Sequence, residues 1–343
     1  MNVGIVGCGL IGRKRAAALT ACGDTVAIVA DVVSARAADL ATEFGCRSTA
    51  RWEDVIAADV DLVVVSTTNQ GLHPVTTAAL RAGKHVLCEK PLGRNAAEAG
   101  DMVEAARTSG RVLKTGFNHR HHPAIREAHR LAASGALGNL MFVRCVYGHG
   151  GRAGYDKEWR GNKEQAGGGE LLDQGVHVID LCRWFLGEFT QVSGVTARYV
   201  WEIAPLEDNA FATLQTASGQ IASFHTSWTQ WKNRFSFEVF GTAGSAAVEG
   251  LGGSYGPETL VHAARRVEGG APSIERHEFP AVDESWHDEW REFRSAIDEQ
   301  REPLGSGADG LAAARLIDAI YRSSANAGAP EFPGSEAPIT ARV

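Results

Sequence analysis

The chain has 343 residues, which is too many for one ordinary domain of about 150 residues and predicts about two domains. Hydrophobic residues make up 44% and charged residues 22%, with 39 glycines and 11 prolines, a composition typical of a folded globular protein. The 41 acidic residues outnumber the 34 basic ones and give a formal charge of −7, whereas nucleic-acid-binding domains usually carry the opposite sign. We therefore expect no nucleic-acid partner.

The apolar segments and the cysteines limit the location and the chemistry of the protein. No apolar run approaches the ~20 residues that cross a bilayer, and Met1 leads directly into an apolar strand pattern without a basic region or a cleavage site. The sequence thus predicts a cytoplasmic protein with no membrane partner. The six cysteines are scattered without a C-x-x-C pair, so we expect reduced, buried thiols and no metal site.

The first third of the chain alternates short apolar runs with longer helical patterns. The near-continuous Val/Ile/Leu runs indicate strands buried on both faces of a parallel sheet, and alanine-rich segments with helical spacing lie between them. The predicted strands are residues 2–6, 26–30, 62–66, 85–87 and 112–115, and the predicted helices are residues 11–21, 34–44, 73–82 and 95–109. The pattern predicts a doubly wound α/β Rossmann domain over residues 1–118.

Residues 119–343 predict an α+β domain with a large open, mostly antiparallel sheet. Alternating apolar and polar residues indicate strands with one face on a core, at residues 140–147, 191–200, 210–216, 220–227, 235–240 and 245–249. Helices are expected at residues 123–133, 170–185, 286–299 and 310–324, and the two C-terminal ones could pack back on the first domain. We expect this second domain to bind substrate and to carry the contacts between subunits.

A glycine motif follows the first predicted strand. Gly7, Gly9 and Gly12 fit G-x-G-x-x-G, which provides a tight turn, close approach of the backbone to a pyrophosphate and close packing of the next helix. The pyrophosphate charge then lies at the N–H groups that open that helix. Alone the motif is weak in a glycine-rich chain, but its position between a strand and a helix predicts a dinucleotide site.

Asp31 supports the same interpretation because it closes the second strand of the β-α-β unit. It lies about 20 residues after Gly12, the distance at which a carboxylate binds the ribose hydroxyls. We expect Ser34, rather than Asp31, to cap the next helix. A carboxylate there repels a 2′-phosphate and favours NAD, while Arg36 leaves NADP possible.

Glu89, Lys90 and Pro91 follow the predicted strand 85–87. A lysine just beyond a strand lies at the carboxyl edge of the sheet, where doubly wound folds bind ligands. Pro91 restricts the local backbone and so aims the side chain of Lys90. A Lys-Pro pair on its own is usually only a turn, so its meaning depends on the other motifs.

Asp173 and His177 lie four residues apart on a predicted helix that follows a triglycine segment. At this spacing both side chains project from one face of the helix. An isolated Asp/His pair is more often structural than catalytic. Here the pair follows what we expect to be a flexible loop in a chain with a dinucleotide motif, which favours a catalytic role.

In this order the motifs resemble those of the Gfo/Idh/MocA family of oxidoreductases, which includes glucose–fructose oxidoreductase and inositol dehydrogenases. The resemblance covers most of the chain and fades after about Gly250. It implies that Lys90 lies beside the nicotinamide and the reacting carbon, with a cis proline after it. It also implies that Asp173 and His177 are catalytic, because the segment from Gly167 matches the family's GGG…D-x-G-x-H-x-x-D pattern.

The resemblance implies two further sets of residues. Ser66, Thr67, Thr68 and Asn69, with His73, resemble the family's T-P-N…H cofactor loop, in which Thr68 replaces the usual proline. The implied cofactor-binding residues are Gly7, Gly9, Leu10, Ile11, Gly12, Asp31, Ser66, Thr67, Thr68, Asn69, His73, Glu89, Lys90 and Asn118. The implied substrate-binding residues are Lys90, Asn118, Arg120, Trp159, Arg160, Asp173 and His177.

These residues predict an NAD-dependent dehydrogenase that oxidises a secondary hydroxyl of a sugar, amino sugar, sugar derivative or cyclitol, or reduces the matching ketone. Histidine has an ordinary pKa of ~6.5, so His177 is suited to accept the hydroxyl proton. The Lys90 ammonium would stabilise the developing alkoxide. Aromatic residues of the second domain suit a sugar, although core packing explains such residues equally well. They are Tyr147, Tyr155, Trp159, Tyr199, Trp201, Trp228 and Trp231.

Two other functions stay open at this point. One is a redox-neutral NAD-dependent enzyme that cleaves a glycosidic bond or epimerises its substrate, and the other is a non-catalytic NAD-binding sensor of the same fold. The intact Lys90, Asp173 and His177 argue against the sensor. The resemblance also implies a homodimer or homotetramer that buries the open sheet of the second domain.

Overall fold

The computed structural model describes residues 1–280 and 282–333. Its backbone contacts divide the chain into two compact units, each built from several segments. The first unit comprises Met1–His121, Glu164–Gly167 and Glu284–Ala314, and the second comprises His122–Lys163, Gly168–Asp283 and the chain from Arg315 onward. Residues 284–314 thus belong to the first unit, an arrangement that the sequence left open.

The N-terminal part of the first unit is a parallel sheet with the strand order β3-β2-β1-β4-β5-β6. This is the order of the doubly wound dinucleotide-binding fold, so the predicted Rossmann domain is confirmed. The strands are β1 (Asn2–Val6), β2 (Thr25–Ala30), β3 (Arg47–Thr49), β4 (Leu62–Val65), β5 (His85–Cys88) and β6 (Leu113–Thr115). The helices between them are α1 (Leu10–Ala21), α2 (Ser34–Phe44), α3 (Trp52–Ala57), α4 (Asn69–Arg81) and α5 (Ala96–Ser109).

The second unit contains an eight-stranded mixed sheet with the order β14-β13-β12-β11-β7-β10-β9-β8. Neighbouring strands are antiparallel except β7 and β10, which are parallel, so the predicted open, mostly antiparallel sheet is confirmed. Its strands are β7 (Leu140–Gly148), β8 (Phe189–Ala197), β9 (Asn209–Thr216), β10 (Ile221–Ser227), β11 (Arg234–Gly241), β12 (Gly244–Glu249), β13 (Thr259–Ala264) and β14 (Ser273–Glu278). The remaining helices are α6 (Pro123–Ala133), α7 (Lys163–Ala166), α8 (Val176–Leu186), α9 (Ser285–Asp298) and α10 (Gly307–Ala325).

Among the described residues, the labelled elements that escaped the sequence prediction are β3, α3, the four-residue helix α7, β13 and β14. β3 has the sequence Arg-Ser-Thr, which carries no apolar signal, and α3 has only six residues. β13 and β14 pair at one edge of the second sheet, and every residue of β14 is exposed. An edge strand without a buried face has no alternation of apolar and polar residues from which to recognise it.

The core of the first unit lies on both faces of its sheet. Successive residues of a strand point to opposite faces, so Leu62 and Val64 pack into one buried cluster while Val63 and Val65 pack into the other. The first of these clusters also contains Trp290 of α9, which is fully buried. Helix α9 therefore completes the hydrophobic core of the nucleotide-binding fold, far from it in sequence.

The two faces of the second sheet differ. Helix α6 packs on β12 and β13, and α8 packs on β7. On the other face Val195, Phe211 and Ile221 are 41–49% exposed. We refer to this second surface, on strands β7–β11, as the open face.

The helices and the cysteines can be compared with what the composition predicts. No helix in the described part of the chain is long and apolar enough to cross a bilayer. All six cysteines lie in that part and are free thiols, of which Cys8, Cys88, Cys145 and Cys182 are buried.

Replacing a glycine by alanine should have opposite effects on stability in helices α1 and α5. A side chain at Gly12 in α1 would place its Cβ 1.9 Å from the Gly7 carbonyl oxygen, whereas a Cβ at Gly100 in α5 meets no atom within 4 Å. We expect Gly100→Ala to stabilise the protein by roughly 0.5–1 kcal/mol, because alanine loses less entropy in a helix. Gly12→Ala should instead lower the melting temperature, as measured by thermal unfolding. Equal shifts in both variants would contradict the close packing at Gly12.

Candidate active site

The glycine loop between β1 and α1 has the geometry of a phosphate cradle. Gly7 has a φ of +100°, a conformation that favours glycine. A Cβ at Gly9 would meet no atom within 4 Å, so open space lies beside the first residue of the helix. Helix α1 has no side-chain cap and no acidic residue in its first turn. Its free N–H groups and helix dipole therefore suit a bound pyrophosphate.

Asp31 ties this loop to the end of β2. Its Oδ2 accepts a hydrogen bond from the Cys8 N–H and its Oδ1 from the Val33 N–H, both at 2.8 Å. The expectation that Ser34 caps α2 is wrong, because Val33 is the N-cap residue and Ser34 is the first residue of the helix. The Asp31 carboxylate therefore holds backbone amides on both sides of the site and still lies at the surface where a ribose would bind.

Three exposed apolar residues belong to the two segments that Asp31 ties together, the glycine loop with the start of α1 and the turn after β2. Leu10 is 72% exposed, Val32 88% and Val33 44%. A bound adenosine could cover such side chains, which otherwise face water. Val32 and Val33 were missed from the sequence, although two β-branched residues directly after the strand-ending acid were the available signal.

The first cysteine of the chain lies inside the glycine loop. The Cys8 thiol is directed at the Ala30 carbonyl oxygen at 3.4 Å. Burial and the neighbouring Asp31 charge raise the pKa of Cys8 to about 12. The thiol is therefore a structural group in this loop and not a nucleophile.

The segment after β4 contacts the glycine loop from the other side. Ser66 Oγ donates to the Gly7 carbonyl oxygen at 2.8 Å, and Thr67 Oγ1 donates to the Thr68 carbonyl oxygen at 2.9 Å. Asn69 is the buried first residue of α4, and its Nδ2 donates to the Ala166 carbonyl oxygen at 2.8 Å.

Helix α4 begins four residues earlier than predicted, at Asn69, and this turns His73 towards α5. Its Nε2 lies 3.4 Å from the Asp101 carboxylate. The structure thus brings Ser66 to the glycine loop but places His73 beside Asp101.

Glu89 is held by a buried ion network. Arg15 of α1 donates to the Glu89 carboxylate from Nε at 2.7 Å and also pairs with Glu289 of α9. Lys114 Nζ lies 3.4 Å from Glu289, and burial lowers the pKa of Lys114. Side chains of Arg15, Lys114 and Glu289 are at most 1% exposed. Glu89 therefore faces this network, and its neighbour Lys90 is half-buried at the strand end.

The Lys90–Pro91 peptide bond is cis, as the resemblance implied. Beyond β6, Asn118 and Arg120 lie in a short 3-10 helix and are both buried. Asn118 Nδ2 donates to Ser285 Oγ at 3.1 Å, and Arg120 pairs with Asp309 at 3.2 Å. Residues 285 and 309 both belong to the C-terminal part of the first unit, which thus supports this predicted substrate segment.

Asp173 lies in a π-helical turn of the second unit. The predicted helix 170–185 is present, but Leu171–Gly175 is π-helical and α8 follows at Val176. Such turns occur frequently at functional sites. Asp173 is 8% exposed and His177, at the start of α8, is 4% exposed. The sequence prediction of one regular α-helix is therefore wrong for its first turn.

Arg160 joins Asp173 through a hydrogen bond from its Nε at 3.0 Å. The Asp173 charge raises the pKa of Arg160, and the Arg160 guanidinium lies 4.4 Å from the centre of the Trp159 ring. Trp159, Arg160 and Asp173, three of the residues predicted to bind substrate, therefore form one cluster.

The triglycine segment is packed and not flexible. Gly168 and Gly169 are buried, and a Cβ at Gly168 would lie 2.3 Å from the Tyr321 hydroxyl. A Cβ at Gly169 would lie 2.1 Å from the Glu207 carbonyl oxygen. The expected flexible loop is therefore wrong, because these glycines are required by close approach.

The aromatic residues of the second unit divide into two groups. Trp228 and Tyr155 are at most 2% exposed and pack edge to face, so core packing explains them. Trp201 donates from Nε1 to the Trp228 carbonyl oxygen at 2.8 Å. Trp231 and Tyr199 are about 70% exposed. Of the tryptophans considered from the sequence, Trp159 is therefore the one that contacts the Asp173 cluster through Arg160.

A dinucleotide-binding α/β unit that carries a cis Lys-Pro at a strand end, with an Asp/His helix in a mixed-sheet unit, defines a class of nicotinamide-dependent oxidoreductases. Residues 1–117 match the family model described as "Oxidoreductase family, NAD-binding Rossmann fold". Residues 125–247 match the model described as "GFO/IDH/MocA C-terminal domain". The chain belongs to the Gfo/Idh/MocA family, and it is an NAD-dependent oxidoreductase.

Relatives of known activity cover nearly the whole chain. The 1,5-anhydro-D-fructose reductase of Ensifer adhaerens is 31% identical over 96% of this chain and 98% of its own length. An inositol 2-dehydrogenase of Saccharopolyspora erythraea is 31% identical over 99% of this chain and 95% of its own length. The structure of a levoglucosan dehydrogenase in complex with NADH and levoglucosan aligns with a TM-score of 0.88 at 27% identity, over 97% of this chain and 99% of that one.

The Asp31 carboxylate predicts the choice between the two nicotinamide dinucleotides. We expect Asp31→Ser to raise the KM for NAD and lower the KM for NADP, because the charge that opposes a 2′-phosphate is removed. Steady-state kinetics with each dinucleotide measure both effects. Asp39→Ser, at an exposed position of α2, is the matched control. An unchanged ratio of the two KM values in Asp31→Ser would exclude Asp31 from the ribose site.

Proposed function

We propose that this protein oxidises a secondary hydroxyl of a sugar, amino sugar, sugar derivative or cyclitol, or reduces the matching ketone, with NAD as the hydride carrier. One observation carries the proposal. Asp173 in the π-helical turn and His177 at the start of α8 are both buried, and Asp173 is paired with Arg160. The named relatives, which act on anhydrofructose, inositol and levoglucosan, support this substrate class.

The glycine loop, Asp31 and Ser66 would hold the dinucleotide. NAD bound there supplies the hydride acceptor, and the protein supplies position and charge. His177 accepts the proton of the reacting hydroxyl group, for which a neutral imidazole nitrogen is suited near pH 7. The Lys90 ammonium stabilises the negative charge that grows on the oxygen as that proton leaves.

Asp173 acts as an ionised carboxylate in this scheme. Its Oδ2 accepts a charge-assisted hydrogen bond from Arg160 Nε at 3.0 Å. The Asp173 carboxylate would also accept a hydrogen bond from a substrate hydroxyl next to the reacting carbon. Asp173 therefore orients the substrate, while proton transfer belongs to His177.

A redox-neutral enzyme that cleaves a glycosidic bond or epimerises its substrate would use the same groups. It would turn over without net formation of NADH, whereas a dehydrogenase accumulates NADH in proportion to product. A non-catalytic NAD-binding sensor would show neither. A spectrophotometric screen of sugars, amino sugars and cyclitols with NAD and NADP separates the three functions.

Variants of Lys90 and His177 test the catalytic assignment. We expect Lys90→Ala and His177→Ala to lower kcat by about 100-fold or more, since general acid–base catalysis contributes about 10²–10⁴-fold. NADH binding, measured by fluorescence titration, should change little. Exposed Lys232 and half-exposed His277 provide the matched controls Lys232→Ala and His277→Ala. Normal turnover in both active-site variants would overturn the assignment.

We also propose that the open face of the second sheet binds a second copy of this chain. The face combines the half-exposed Val195, Phe211 and Ile221 with an ion pair between Arg144 and Glu238 on neighbouring strands. It contains an open cavity of about 650 Å³. Apolar groups mixed with a few paired charges are typical of interfaces between identical subunits, which would form a dimer or a tetramer of dimers.

Light scattering tests this association. We expect the protein to be a dimer or tetramer at micromolar concentration, and Val195→Glu to shift it towards smaller species because it buries a charge in the interface. Val267→Glu changes an apolar residue that is 87% exposed in a turn, and should leave the mass unchanged. A monomeric wild-type protein would contradict the proposal.

We infer a cytoplasmic location from the cysteines. Six free thiols, four of them buried, fit a reducing compartment. Fractionation of the native host followed by immunodetection tests this location.

A further inference from the structure

Two consecutive buried acids, Glu207 and Asp208, directly precede β9. Glu207 is 7% exposed and Asp208 is fully buried. Isolated buried charges are costly, so each carboxylate must be compensated by hydrogen-bond donors. The donors of Glu207 lead to the segment that carries Asp173.

Glu207 holds the start of the helical segment 170–186. Its Oε1 accepts from the Leu171 N–H at 3.1 Å, and both of its oxygens lie within 3.3 Å of the Gly169 N–H. Its own carbonyl oxygen accepts from the Glu170 N–H at 3.1 Å. Backbone amides at the start of a helix have no hydrogen-bond acceptor within the helix. Glu207 thus accepts hydrogen bonds from three successive amides, those of residues 169–171. A negative charge at this position is also favoured by the helix dipole.

Tyr321 of α10 completes the contact. Its hydroxyl donates to Glu207 Oε1 at 2.8 Å. Burial raises the pKa of Tyr321, so its hydroxyl keeps the proton that it donates. Burial also raises the pKa of Glu207, and the hydrogen bonds from Tyr321 and from the backbone act in the opposite direction.

The glycines fit this arrangement. A side chain at Gly168 would meet the Tyr321 hydroxyl at 2.3 Å, and one at Gly169 would meet the Glu207 carboxyl carbon at 2.8 Å. The Asp173 N–H in turn donates to the Gly169 carbonyl oxygen at 3.0 Å. One hydrogen-bonded turn of backbone therefore connects the buried Glu207 carboxylate to Asp173.

We propose that Glu207, supported by Tyr321, is a positioning residue that sets the place of Asp173 for catalysis. The inference rests on the proposed function, in which Asp173 orients the substrate. Glu207 itself touches neither substrate nor cofactor in this scheme. It acts by holding the amides of Gly169 and Leu171, so that the π-helical turn presents Asp173 to Arg160.

Glu207→Gln tests the proposal without a change in volume. The amide replaces one acceptor oxygen by a donor, which opposes the N–H and O–H donors already present. We expect kcat to fall about 10- to 100-fold, the loss that follows a displacement of about 1 Å in an active site. The KM for NAD and the affinity for NADH should stay unchanged, because Glu207 belongs to the other unit. Tyr321→Phe, which removes one donor, should give a smaller loss in kcat.

A control separates positioning from simple loss of stability. Asp24 is a buried carboxylate of the first unit that accepts from Trp290 Nε1 at 2.8 Å and pairs with Arg294. Asp24→Asn should lower the melting temperature at least as much as Glu207→Gln and leave kcat at the assay temperature near the wild-type value. Equal losses of kcat in both variants would show that stability alone explains the effect and would overturn the proposal.

A double-mutant cycle identifies the residue through which Glu207 acts. If it acts through Asp173, adding Glu207→Gln to Asp173→Asn should change kcat less than ~2-fold, because coupled residues are not additive. Independent, multiplicative losses would overturn the inference. So would a normal kcat in Glu207→Gln when Asp173→Asn is slow, a result that leaves the proposed function intact. A normal kcat in Asp173→Asn would overturn the assigned role of Asp173 and this inference together.

Discussion

The first unit depends on the buried guanidinium of Arg15 to hold three of its elements in place. This guanidinium is almost inaccessible to water, and it is neutralised by Glu89 at a strand end and Glu289 in α9. Removing one member of a buried ion pair leaves an uncompensated charge that costs about 3–5 kcal/mol. The three residues therefore hold in one arrangement the helix that opens the nucleotide site, the strand that ends in Lys90, and a helix from near the end of the chain. The hydrophobic contacts of Trp290 add to this connection but do not fix its geometry.

Carboxylates that accept hydrogen bonds from backbone amides serve the two units in a common way. Asp31 accepts from amides of the glycine loop and of the turn after β2, and Glu207 accepts from amides at the start of the Asp173 turn. In both cases a backbone segment that carries functional groups is fixed by an acid distant in sequence. The N-terminus of α1 is the contrast, since no side chain caps it. The free amides are those that a dinucleotide would use.

The sequence predicts those parts of the molecule that depend on interactions between residues close together in the chain. Hydrophobic period and glycine spacing identify the Rossmann strands, and the Asp31 and Lys90 positions follow from where those strands end. The π-helical turn at Asp173 was not predictable, because it depends on packing against Glu207, 34 residues away, and on Tyr321. The role of Ser34 was predicted wrongly, since α2 begins one residue earlier than a Ser34 cap requires and Val33 is the N-cap residue. β14 was missed because an exposed edge strand is defined only by its pairing partner.

The burial of Cys8 has a consequence for chemical durability. With its pKa raised to about 12, the Cys8 thiol is protonated at neutral pH. Peroxide and alkylating reagents attack the thiolate, so Cys8 is poorly suited to redox sensing. The same carboxylate that positions the loop suppresses this ionisation through its charge. The Asp31 charge thus adds to the effect of burial, which is the larger cause of the raised pKa of Cys8.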